Sequence, residues 1–175
     1  MIEKEPTIRV GIMEGRQRVN GRLNGVFHVD GYGRLTGLFE ADVEGENIVV
    51  RGPSGAVIIK SRTVHMAPLG PADFTLFEVR IGIDFHWERS EAQTFQGELM
   101  LKSAEGGLIT VINTISLESY LISVISSEMS AAAPVEFLKA HAVTARSWLV
   151  AVLTPSDSRA GKKGPLPEDD KKDGE

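Results

Sequence analysis

LITVINTISLESYLISVISSE, residues 108–128, contains the point at which the chain changes its hydrophobic period. Its first five residues, Leu108 to Ile112, have the apolar and β-branched character of a strand. From Asn113 the spacing becomes helical. Leu117, Tyr120, Leu121, Val124 and Ile125 fall at i, i+3, i+4, i+7 and i+8, which makes one apolar stripe. Ser116 is placed to cap this helix, and Glu118 falls in its first turn, where the helix dipole favours a negative charge.

Upstream of this point, residues 7–112 are rich in β-branched residues and glycine. Ile8, Val10 and Ile12 alternate with Arg9 and Gly11, the period of a half-buried strand. Val57 and Ile59 repeat the pattern, as do Phe77, Val79, Ile81 and Ile83. Glycine and proline interrupt these runs at residues 31–33, 52–53 and 68–71. FQGELML (residues 95–101) and LITVI predict two strands of a hairpin that turns at residues 103–107. Downstream, a second helix is expected from Pro134, a favoured first helical residue, to about Leu153. Its Ala140, Ala142 and Ala145 permit close approach of a neighbour. A link at residues 127–133 is short enough for a packed helical hairpin. Residues 154–175 are charged and nearly devoid of apolar groups, so a disordered tail is expected. The fold class is therefore α+β: a β-rich part (7–112), a helical part (113–153) and a charged tail, with no internal repeat.

The 175 residues are 42% hydrophobic and 25% charged, which excludes wholesale disorder and a membrane bundle. A net charge of −5 gives no basic excess for nucleic acid. Cysteine is absent, which removes disulfides, thiolate metal sites and a cysteine nucleophile. His28, His65, His86 and His141 are scattered without ligand spacing, so no metal is expected. Residues 31–37 (GYGRLTG) have the wrong glycine spacing for a dinucleotide fingerprint and are read as turns, and no cofactor is expected. No run is long enough to span a membrane. Glu3, Lys4 and Glu5 interrupt the opening, so no signal peptide is expected.

Glu128 carries the most chemical information. It continues the apolar stripe at the C-terminal end of its helix, where the dipole disfavours a carboxylate. Partial desolvation there would raise its pKa and make it a proton donor near neutrality. The alternative is a helix that frays at Ser126 and leaves Glu128 in water. No second carboxylate pairs with it. Glycosidases of the two-acid type need their carboxyls roughly 5–10 Å apart, whereas Glu118 is about 15 Å away along the helix. Glu136 opens the next helix, where the dipole accounts for it. Arg146 either reaches a substrate, holds Glu128 ionised, or makes a structural pair. The aromatic and charged residues 84–89 (DFHWER) suit a strand-end core cluster, or else a sugar-stacking surface.

INTISLESYLISVISSEMSAAAPVEFLKAHAVTARSWLVAV, residues 112–152, resembles the SpoIID/LytB family, stage II sporulation protein D and the amidase enhancer LytB. Matching positions are Asn113, Glu118, Tyr120, Leu121, Glu128, Met129, Pro134, Leu138, Lys139, Ala140, Ala142, Ala145 and Arg146. The resemblance extends over residues 8–153. It departs at Ser123-Val124-Ile125 after an extra Ile122, at His141, and at Ser147-Trp148. Family members continue into a second lobe where this chain enters its charged tail. The resemblance implies a peptidoglycan lytic transglycosylase that cleaves the MurNAc–GlcNAc bond of peptide-free glycan strands and leaves a 1,6-anhydro sugar. Glu128 matches the family's catalytic glutamate, and Arg146 and Tyr120 are expected at the substrate. A single acid suffices because the sugar's own C6 hydroxyl is the nucleophile. The resemblance also implies location in the cell envelope and, as an alternative to catalysis, a wall-binding module that enhances a cell-wall amidase.

Overall fold

The computed structural model describes residues 5–82, 88–129 and 133–153, apart from the side chains of Ser127 and Glu128. The expectations for residues 83–87, for residues 130–132 of the link and for the tail fall outside these residues. The chain divides between Val124 and Ile125 into two units.

The first unit is an antiparallel sheet of ten strands: β1 (Thr7–Arg16), β2 (Arg18–Val29), β3 (Gly33–Glu44), β4 (Asn47–Arg51), β5 (Val57–Ser61), β6 (Thr63–Pro68), β7 (Asp73–Ile81), β8 (Arg89–Gln96), β9 (Glu98–Ala104) and β10 (Leu108–Ser116). They run in the order β1-β10-β9-β6-β2-β3-β4-β5. The long β2 uses one part of its length for β6 and another for β7, and β7 carries β8. β1, β5 and β8 are edges among the described residues. Alternation along the strands sends Val19, Leu23, Phe27, Ile48, Val64, Leu99 and Val111 into one apolar core. Phe74 stands at its centre, edge-on to Phe27 at 6.4 Å between ring centroids and stacked on Phe95 at 5.6 Å.

The predicted hairpin forms with β9 and β10 as its arms. Residues 105–107 close it, and Gly106 and Gly107 both take positive φ. The predicted turns at residues 31–33, 52–53 and 68–71 fall at strand junctions, with Gly33 opening β3 and Pro68 closing β6. Four readings need correction. The run 95–101 is two strands, because Gly97 breaks it with φ 92°. β10 continues to Ser116, past the point at which helical spacing becomes visible. In β7 the inward residues are Phe74, Leu76 and Val79, with Phe77 only half-buried. A register shift between Leu76 and Val79 changes the parity there, with Glu78 at φ 57°. Val57 is exposed because β5 ends the sheet.

Two helices follow the sheet. α1 (Leu117–Glu128) begins in the first unit, and its Leu117 and Leu121 are buried. α2 (Val135–Leu153) lies in the second unit and has no buried residue. Pro134 precedes α2, and its carbonyl accepts the Leu138 N–H at 3.1 Å. Glu136 lies in the first turn and pairs with Lys139 at 2.9 Å.

Candidate functional site

β10 leads directly into α1, so the strand sets where the helix starts. Its inward residues are Ile109, Val111, Asn113 and Ile115, one polar group among three apolar ones. A buried amide needs partners. Asn113 Nδ2 donates to the carbonyl oxygens of Gln96 at 2.8 Å and Glu98 at 3.0 Å, on either side of Gly97. A Cβ on Gly97 would lie 2.3 Å from the Thr114 carbonyl oxygen. Asn113 and Gly97 together hold the β8–β9 corner against β10.

The first turn of α1 is fully capped. Leu117 N–H donates to the Pro6 carbonyl and Glu118 N–H to Glu5 Oε1, each at 2.9 Å. Ser116 Oγ accepts the Ser119 N–H at 3.2 Å, the N-cap bond expected from the sequence. The Ser116 hydroxyl and the Glu118 backbone N–H hold the Glu5 carboxyl below its ordinary value, against a small opposing effect of burial. The segment before β1 therefore fastens the helix start to the sheet and fixes Ser119 and Tyr120.

Two hollows meet around Ser119, Gln96 and Ile115. The larger, about 510 Å³, is lined by Asn24, Asp73, Gln96 and Ser119 and by turns at Gly70 and Gly97. The smaller, about 300 Å³, lies between the unpaired edges of β1 and β8 and includes Thr94, Phe95 and Tyr120. Cross-strand register puts Asn24, Asp73 and Gln96 in one row over β2, β7 and β8. Asn24 Nδ2 donates to Asp73 Oδ1 at 2.7 Å and Thr75 Oγ1 at 2.9 Å, and Thr75 bonds Thr94 at 2.9 Å.

Of the three residues expected at the site, Tyr120 is half-buried and lines the smaller hollow. Glu128 is the last residue of α1, seven positions after the buried Leu121 and so on the same helical face. The last turn of α1 holds no basic residue to offset it. The side-chain surroundings of Glu128 lie outside the described residues. Arg146 is exposed in the middle of α2.

One arrangement escaped the sequence reading. His65 on β6 sits between two carboxylates, with Nδ1 at 3.2 Å from Asp30 and Nε2 at 2.9 Å from Glu98. Burial lowers its pKa, but hydrogen bonds and charge from Glu98 and Asp30 together outweigh burial, and the net shift is upward. Sequence gave no signal because the three residues are 33 and 35 positions apart. No group of three or more His, Cys, Asp or Glu fit for a metal occurs among the described residues.

The site features define an α+β protein in which an antiparallel sheet passes straight into a capped helix with one acid in its apolar register. The family model described as stage II sporulation protein, SpoIID, matches residues 105–173. Over that stretch the chain is similar to the SpoIID family, in agreement with the resemblance read from residues 112–152. The match takes in the β9–β10 turn, β10 and both helices, and points to a sporulation- or cell-wall-related function with an extracytoplasmic role. No curated protein and no solved structure matches the chain. No helix among the described residues is long and apolar enough to cross a membrane.

Proposed function

We propose that this domain is a lytic transglycosylase acting on the peptide-free glycan strands of peptidoglycan, with Glu128 as its single acid–base group. The observation that carries the reading is the SpoIID match over residues 105–173, which includes Glu128 and Arg146. Helical register agrees with it: the backbone position of Glu128 falls seven residues after the buried Leu121.

The reaction needs one protein carboxyl. Protonated Glu128 gives its proton to the glycosidic oxygen as the bond from MurNAc C1 to that oxygen breaks. The resulting carboxylate takes the proton of the C6 hydroxyl as O6 bonds to C1. The products are a 1,6-anhydro-MurNAc end and a free GlcNAc 4-hydroxyl, and Glu128 is again protonated. Neither water nor a second carboxylate is consumed, unlike in two-acid glycosidases. Arg146 is proposed to contact the strand, and so is Tyr120. No cofactor enters the scheme.

The test is digestion of peptide-free strands by the full chain and by Glu128→Gln, with products read by mass spectrometry. Anhydro ends from wild type, and at least a 100-fold lower yield from the variant, are expected of a general acid. Strand binding without product from either protein would contradict catalysis and favour a wall-binding or amidase-enhancing module.

A further inference from the structure

The joined hollows at the start of α1 lie wholly within the first unit and involve none of the proposed acid–base chemistry. Their lining holds one carboxylate, Asp73, and no Lys, Arg or His. A phosphate, a nucleic acid or an acidic peptide would meet no counter-charge here. The lining instead presents short, neutral hydrogen-bonding groups. Asn24 commits both amide hydrogens to Asp73 and Thr75, so it offers a ligand its carbonyl oxygen. Gln96, in the same cross-strand row, adds a donor and an acceptor. Ser119 adds a hydroxyl whose backbone the N-cap already holds. The smaller hollow differs, with Val10, Ile12, Phe95 and Tyr120 giving it apolar and aromatic walls.

Hydroxyl-matching groups beside an aromatic, uncharged wall suit a ligand with both a hydroxyl edge and a C–H face. Both volumes fall within the range of about 300–1,000 Å³ usual for small-ligand pockets. We infer that the two hollows form one cleft for a neutral saccharide, with the row Asn24–Asp73–Gln96 reading the hydroxyls and the Phe95–Tyr120 side holding the ring face. The cleft is prebuilt, because Asn113 and Gly97 fix its β8–β9 rim and the capped turn fixes Ser119. The choice of N-acetylglucosamine, the uncharged sugar of the strand, rests on the function proposed above, since the lactyl carboxylate of peptide-free MurNAc would meet no counter-charge in this lining. The preference for a neutral polyol does not.

The experiment is calorimetric titration of the full chain with N-acetylglucosamine tetrasaccharide, with a neutral alanine tripeptide as comparison. Saturable binding of the tetrasaccharide alone is expected. Gln96→Ala should weaken it at least 5-fold, and Gln96→Trp, which fills the junction of the hollows, should abolish it. The Gln96 side chain is exposed, so both variants should unfold at the wild-type midpoint. Absence of tetrasaccharide binding, preference for the tripeptide, or wild-type affinity in both Gln96 variants would overturn the cleft. Strand cleavage with unchanged Gln96 variants would sink this inference and leave the enzyme standing. Gln96-dependent binding without cleavage would do the reverse.

Discussion

Asn113 and Gly97 show how two residues hold a site in place. The amide of Asn113 donates to the two carbonyls that flank the Gly97 corner. Asn113→Ala leaves both without their donor inside the protein. The expected loss is about 1–3 kcal/mol, read as a lower urea midpoint. An unchanged midpoint would mean that the corner does not depend on the amide. Gly97→Ala brings a Cβ against the Thr114 carbonyl at a positive φ, so it too should lower the midpoint. Phe74→Ala removes the ring between Phe27 and Phe95 and should cost about 3–5 kcal/mol by the same measurement.

At the scale of elements, the join between β10 and α1 is where local chemistry decides most. Ser116→Ala removes the N-cap of α1 and should cost about 1 kcal/mol, checked by denaturation with Ser116→Asp as the rescuing variant. β6, β2 and β9 meet at His65, faced by Asp30 and Glu98, with His28 3.7 Å from Asp30 and Arg34 opposite His28 on β3. Its folded pKa is raised above 6.5. His65 therefore stabilises the sheet fully below about pH 6.5, and that contribution disappears as pH rises through the raised folded value. His65→Gln should flatten this part of the stability–pH curve, and retention of the same slope would contradict the assignment. The helices were legible because their stripe and Ser116 are local signals, and so was the β9–β10 hairpin with its glycine turn. The break at Gly97 was not, because the carbonyl it avoids belongs to a strand 17 residues onward. The parity change in β7 and the exposure of β5 likewise depend on neighbours distant in sequence. Of the candidate site, Glu128 was legible from helical register and family resemblance. The cleft was not, since Asn24, Asp73 and Gln96 meet only through strand pairing.

At the scale of the whole molecule, the strand-rich unit and the helical unit are consecutive in sequence, and α1 runs across the boundary between Val124 and Ile125. Ser116, Glu5 and Pro6 anchor the start of α1, and Tyr120 lies in the turn they hold. The claim that matters most is that one carboxyl and the substrate's own hydroxyl suffice. Digestion of peptide-free glycan strands in heavy-oxygen water, followed by mass spectrometry of the new chain ends, tests it directly. The account predicts anhydro ends that carry no heavy oxygen and that vanish in Glu128→Gln. Reducing ends labelled with heavy oxygen would show that water is the nucleophile and would contradict it.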